Sequence, residues 1–289
     1  MAALQGKDSG MLLDLVDVFG SGPLSGNPLA VVRGGEELDA AGMLRLTRWL
    51  GFSETTFLLP PTDPAADYKV RIFYPAGELP FAGHPTLGTA HAWLAAGGTP
   101  KAPGRIVQEC GIGLVEVRQD GDRLAFKAPP LIRSGPLDDT DRTEVQQLTG
   151  VSPDQVVAAV HASNGPAWRL LHLETAEAVL AAEPAPRAPV PTDVALLGPC
   201  APGGPAQWEV RAFFADPTGR LCEDPVTGSL NAAVAQYLFG EGLAEGRYVA
   251  AQGRKVGADG RVYCSQEGDA VWVAGNVATV SAGGELAGW

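Results

Sequence analysis

Leu221-Cys-Glu-Asp-Pro-Val-Thr-Gly-Ser-Leu-Asn-Ala-Ala-Val-Ala-Gln236 reads as a loop that feeds a helix. Pro225 fixes its own φ near −65° and pushes Asp224 out of the helical region, so the loop cannot enter the helix early. Thr227, Gly228 and Ser229 then offer a hydroxyl cap, a residue without Cβ and a second hydroxyl. They stand where the first backbone N–H groups of a helix lack internal partners. Free donors at the positive end of a helix dipole form an anion site, and a carboxylate ligand suits it. The same residues also make an ordinary N-cap; a second loop of this kind earlier in the chain favours the site.

That second loop is Phe81-Ala-Gly-His-Pro-Thr, which opens a helix of Leu87, Ala90, His91, Trp93 and Leu94. Around it, alternation and turn residues predict strands at 12–18, 29–32, 55–59 and 68–74, and an amphipathic helix over 36–50 that includes Trp49. A loop is expected over 75–83. A meander follows at 105–109, 113–118 and 123–127, and Pro129-Pro130 marks a boundary. Beyond it come a short helix at 143–148, strands at 156–161 and 168–173, and a helix at 175–182. Strands at 194–197 and 207–214, the helix 229–239, and strands at 248–252, 261–265, 271–274 and 276–281 complete the order. Arg71-Ile-Phe-Tyr before Thr86-Leu87 is echoed by Arg211-Ala-Phe-Phe before Ser229-Leu230. This is a duplicated pair of α+β lobes, 11–128 and 129–289, with the last strand free to return to the first lobe. Packed face to face, such lobes bring two helix N-termini to one cleft.

Composition limits the function. With 289 residues, 45% of them apolar, the chain buries a core without staples. A net charge of −12, with 21 basic residues and no basic cluster, excludes an electrostatic nucleic-acid binder and disfavours anionic membrane surfaces. No apolar run is long enough to span a bilayer, the Met1–Gly10 stretch has no signal-peptide core, and a cytoplasmic protein is expected. Cys110, Cys200, Cys222 and Cys264 lack the paired spacings of metal sites. No nucleotide-binding glycine motif is present either. No metal and no cofactor are therefore expected, and the chemistry predicted is proton transfer.

Four candidates follow. His84 opens the first helix, where the dipole lowers its pKa; the other reading is a capping histidine. Glu54, in Gly51-Phe-Ser-Glu-Thr-Thr-Phe, is either a solvated loop residue or a carboxyl at the mouth of a dry cleft. Asp224 is constrained by Pro225, and Asn27 in Gly26-Asn-Pro orients a ligand or shapes a turn. Cys222 has no counterpart thiol in the first loop.

Together, Asp17-Val-Phe, Ser25-Gly-Asn-Pro-Leu-Ala-Val, Ser53-Glu-Thr-Thr-Phe, Phe81-Ala-Gly-His-Pro-Thr and Glu223-Asp-Pro-Val-Thr-Gly-Ser resemble the PhzF family of phenazine biosynthesis. The resemblance spans residues 12–280. It implies the diaminopimelate-epimerase fold, two lobes each formed by a barrel-like sheet round a central helix with the active site between them. It also implies a homodimeric, cofactor-free isomerase that acts on a small carboxylate. The family's acid/base glutamate matches Glu54, and its site His, Asp and Ser match His84, Asp224 and Ser229. The substrate carboxylate is expected on the N–H groups around Gly83 and His84 and around Gly228 and Ser229. For its role Glu54 needs a pKa of about 6 to 7, above the usual value of about 4.3. The alternatives are a two-base amino-acid epimerase or racemase of the same fold, and a non-catalytic binding protein for small acids.

Overall fold

The structure is a computed structural model that describes residues 10–287; the expectation drawn from the first ten residues lies, but for Gly10, outside them. The first half runs β1 (Met11–Val18), β2 (Asn27–Arg33), α1 (Ala40–Leu50), β3 (Thr55–Leu59), β4 (Tyr68–Tyr74), β5 (Gly77–Leu79), α2 (Gly83–Ala95), β6 (Arg105–Cys110), β7 (Gly113–Asp120) and β8 (Arg123–Lys127). β9 (Arg133–Pro136) and α3 (Asp139–Thr149) follow. The first order then returns as β10 (Val156–Ser163), β11 (Arg169–Leu173), α4 (Ala176–Ala181), β12 (Asp193–Pro199), β13 (Trp208–Ala215), β14 (Leu221–Asp224), α5 (Gly228–Gly240), β15 (Arg247–Gln252), β16 (Gly260–Glu267) and β17 (Ala270–Gly275). β18 (Val277–Leu286) is last.

The pairing repeats with the order. β2 is parallel to β3 as β11 is to β12, and β4 is parallel to β6 as β13 is to β15. β9 pairs with β10 inside the second lobe, while β18 returns to the first and lies antiparallel to β1. β8 and β17 join the halves edge to edge, so the strands form one continuous sheet. This is an α+β fold of two similar lobes.

Each lobe wraps its sheet round one helix. α2 packs against β1, β2, β3, β6, β7 and β8, and α5 against β10, β16 and β17. Both helices are rich in Ala, Gly and Leu and are apolar on nearly every side, as a helix enclosed by sheet must be. Gly88 lets α2 approach: a Cβ there would stand 2.4 Å from the Leu29 side chain. α1, α3 and α4 cover the outer faces, α1 burying Met43 and Leu46 on Phe57 and Phe73, and α3 and α4 burying Val145, Leu148 and Val179 near Phe213.

Several local readings need correction. α1 starts at Ala40 because Asp39 accepts a hydrogen bond from the Gly42 N–H and caps it there, and its Trp49 is 79% exposed rather than on the buried face. α3 extends back to Asp139, capped by Asp138. The expected loop 75–83 contains β5, and the stretch read as a loop before α5 contains β14, each held by the neighbouring long strand. Such short polar strands carry no alternation of their own; only the partner's free edge makes them strands.

Candidate active site

Where the lobes meet, the N-termini of α2 and α5 abut. A Cβ on Gly228 would lie 2.8 Å from the His84 backbone nitrogen and 2.9 Å from the Gly83 Cα, and a Cβ on Gly83 would lie 2.5 Å from the Phe126 ring. Only glycine permits this approach. In α2 the first N–H to close a helical bond is that of Thr86, to the Ala82 carbonyl; in α5 it is that of Asn231, to the Thr227 carbonyl. The amides of Gly83, His84, Gly228, Ser229 and Leu230 precede those bonds and are free to bind an anion.

Glu54 stands immediately before β3, after the left-handed Gly51 that ends α1. Its Oε2 is 3.4 Å from Nδ1 of His84, with side-chain exposures of 19% and 4%. Neither Glu54 Oε2 nor His84 Nε2 has a hydrogen-bond partner among the described residues. Asn27, first residue of β2, donates from Nδ2 to Asp224 Oδ1 at 3.1 Å and to the Val226 carbonyl at 3.0 Å. Asn27 thus bridges the lobes. Asp17 makes this possible: its carboxylate accepts the N–H groups of Ser25 and Gly26, and Gly26 passes so close to Val18 that a Cβ would lie 2.1 Å from the Val18 carbonyl.

Thr227 does not cap α5 with its side chain. Its hydroxyl donates to Asp224 Oδ2 at 2.5 Å and accepts from Gln252 Nε2 at 2.9 Å. Gln252 is a hub that sequence reasoning missed. Its Oε1 accepts from the Thr227 N–H and from Asn231 Nδ2, and its Nε2 also reaches the Asp224 carbonyl. Nothing in the alternating pattern of β15 distinguishes this fully buried amide from an exposed one. Gln108 on β6 plays a related part in the other lobe, donating to Thr86. Ser229 contacts a third segment: its hydroxyl lies 3.2 Å from Trp168 Nε1, and its carbonyl accepts from Asn164 at 2.8 Å.

The carboxyls are hard to ionise together. Burial, with the charge of Asp224 adding to it, pushes Glu54 up to about 8. Burial pushes Asp224 up to about 6 against hydrogen bonds from Thr227 and Asn27 that pull it down. Burial drives His84 down to about 3, with the Pro28 carbonyl opposing; desolvation rather than the helix dipole is the cause. At neutral pH the imidazole is therefore neutral, and the two carboxyls share a proton. Cys222 lies on β14 with its thiol against the Arg220 carbonyl; burial pushes its pKa up, and Asp216 and Arg220 are the charges that reach it. His91, His161 and His172 pair elsewhere, with Thr279, Asp141 and Tyr237. Among the described residues no cluster of His, Cys, Asp and Glu has the arrangement of a metal site, and no helix is long and apolar enough to cross a membrane.

The chain as a whole is similar to several known proteins. The family profile described as phenazine biosynthesis-like protein, PhzC-PhzF, matches residues 16–283. A trans-2,3-dihydro-3-hydroxyanthranilate isomerase of Pseudomonas chlororaphis is 32% identical over 280 residues, covering 93% of this chain and 97% of that one. A Schizosaccharomyces pombe protein named antisense-enhancing sequence 1 is 34% identical over 235 residues, 77% of this chain and 78% of its own. A crystal structure of a PhzF-family protein from Enterococcus faecalis superposes with a TM-score of 0.76 at 22% identity, covering 95% of this chain and 98% of that one.

Proposed function

The chain belongs to the PhzC-PhzF family, and from that premise we propose that it is a cofactor-independent isomerase that shifts a carbon-bound proton on a small cyclic or amino-acid-like carboxylate. The observation that carries the reading is the buried Glu54 oxygen without a partner, beside neutral His84 and the free amides of two helix N-termini.

In this mechanism the substrate carboxylate lies on the amides around Gly83 and His84 and around Gly228 and Ser229. Glu54, as carboxylate, takes a proton from an sp³ carbon. The released electron pair moves through the adjacent double bond, and the N–H groups stabilise the charge that develops. The proton on Glu54 then returns to the far carbon on the same face, restoring the carboxylate. The reacting form is the minor one of the singly protonated pair, in which the proton has passed from Glu54 to Asp224 and Glu54 is free to act as base; His84 orients the substrate as a neutral hydrogen-bonding group. Asn27 holds Asp224 in place.

A two-thiol epimerase fits less well. The residues capping the two helices, Ala82 and Thr227, are not thiols, and Cys222 is turned to its own backbone. The proposal extends to a homodimer in the cytoplasm. The four free cysteines suit a reducing compartment, and light scattering tests the dimer.

The test is incubation in heavy water with trans-2,3-dihydro-3-hydroxyanthranilate and a panel of cyclic and amino-acid carboxylates, followed by NMR. Wild type incorporates deuterium at carbon into at least one of them, and Glu54→Gln lowers the rate by roughly 10²-fold or more. Exchange that persists unchanged in the variant removes Glu54 from the chemistry. Carboxylates that bind wild type but never exchange indicate a binding protein.

A further inference from the structure

Trp168 is 3% exposed and stands immediately before β11, its carbonyl bound by the Ala162 N–H at 2.9 Å. Its indole Nε1 lies 3.2 Å from the Ser229 hydroxyl oxygen in the first turn of α5. An indole N–H can only donate, so Ser229 Oγ must be the acceptor in this contact. Among the described residues the Ser229 hydroxyl donates to nothing. Asn164, in the same Ser163–Trp168 segment, pins the Ser229 carbonyl from the other side at 2.8 Å.

We propose that Trp168 is a positioning residue for substrate binding: by occupying the acceptor side of Ser229, it commits the Ser229 hydroxyl proton to the carboxylate of the substrate. A serine hydroxyl free to rotate accepts as readily as it donates, and aligning it costs orientational freedom when the ligand arrives. With Trp168 in place the donor is set beforehand, in a site where preorganised donors count for more than in water. The inference rests on the proposed seating of the carboxylate at the α5 N-terminus and adds a third chain segment to it. It also explains a tryptophan at a position where burial alone is served by any large apolar side chain.

The test compares wild type, Trp168→Phe, Ser229→Ala and the double variant. Each is titrated with anthranilate, a ring carboxylate, and with anthranilamide, which has the same ring but no anionic charge. Removing the indole N–H is expected to weaken anthranilate binding by roughly three- to tenfold and to leave anthranilamide nearly unaffected. Ser229→Ala weakens anthranilate by a similar factor or more, and the double variant is no weaker than Ser229→Ala alone, since the indole acts only through the serine. For any carboxylate found to react, KM rises in the same pattern, and the pH limbs of kcat/KM do not move. Should Trp168→Phe fail to fold, 3-benzothienylalanine at position 168 keeps the indole shape without the N–H.

Two results overturn the proposal while leaving the carboxylate seating intact. In one, Ser229→Ala weakens anthranilate but Trp168→Phe does not. In the other, the effect of Trp168→Phe is undiminished in the Ser229→Ala background. If Ser229→Ala itself leaves anthranilate affinity unchanged, the seating at α5 is wrong and the role of Trp168 falls with it.

Discussion

Glu54 and His84 face each other with Oε2 and Nδ1 3.4 Å apart, yet their contact is neutral rather than ionic. Burial raises the carboxyl to about 8 and lowers the imidazole to about 3, so across the intervening range the acid keeps its proton and the histidine takes none. Two groups that form an ion pair on a surface are here kept uncharged by desolvation.

Stability should therefore depend on pH with opposite signs for the two residues. Between its ordinary value of 4.5 and about 8 the folded protein holds a Glu54 proton that the unfolded chain has lost, so this contribution falls as pH rises through that window. His84 behaves inversely: from 6.5 down to about 3 the unfolded chain binds a proton that the folded one refuses, so acidification destabilises. In denaturant titrations Glu54→Gln should gain stability relative to wild type between pH 5 and 8.5, and His84→Gln should gain as pH falls from 7 to 4. Curves that stay parallel to wild type contradict the assignment.

If the singly protonated Glu54 and Asp224 pair is the working form, kcat/KM is bell-shaped, with limbs near the values of about 6 and about 8 that belong to the pair. Asp224→Asn removes the negative charge that helps raise Glu54, so the Glu54 titration moves to lower pH. Carbon-13 NMR of labelled glutamate carboxyls follows it directly. An upward or absent shift counts against electrostatic coupling.

Gly228→Ala places a methyl 2.8 Å from the His84 nitrogen, against backbone that belongs to the other lobe and cannot swing aside. Destabilisation of about 1–3 kcal/mol is expected. Deuterium exchange should fall further than stability alone accounts for, because the two helix ends are forced apart. Thermal melting alongside exchange rates separates the two effects; a variant with wild-type exchange refutes the close approach as a requirement.

Gln252→Leu keeps the bulk of the side chain and deletes its hydrogen bonds to Thr227, Asn231 and the Asp224 carbonyl. Leaving those buried groups unpaired should cost about 2–4 kcal/mol. The surviving folded protein should show a lower kcat, since Thr227 loses one of the contacts that aim it at Asp224. Denaturant unfolding and single-turnover rates measure the two parts.

The sequence determined much of this by itself. The two helix starts, read at His84 and Ser229 and found one residue earlier at Gly83 and Gly228, were legible because Pro, Gly and hydroxyl residues restrict the backbone locally. The repeat was legible because strand alternation and helix composition recur in order. The motif around Glu54 was legible by resemblance, although its own pattern favoured a solvated loop acid. Only the tertiary structure decided the electrical state of the site. The Glu54 proton and the neutrality of His84 come from burial by segments far away in the chain, and no local pattern encodes that desolvation. It also decided that Thr227 turns from the helix to Asp224, that Gln252 stands behind them and that Trp168 meets Ser229. Hydrogen-bond partners drawn from separate strands and both lobes are set by which edges pair. The sequence left the last strand free to return to the first lobe, and strand pairing decided that β18 does lie against β1.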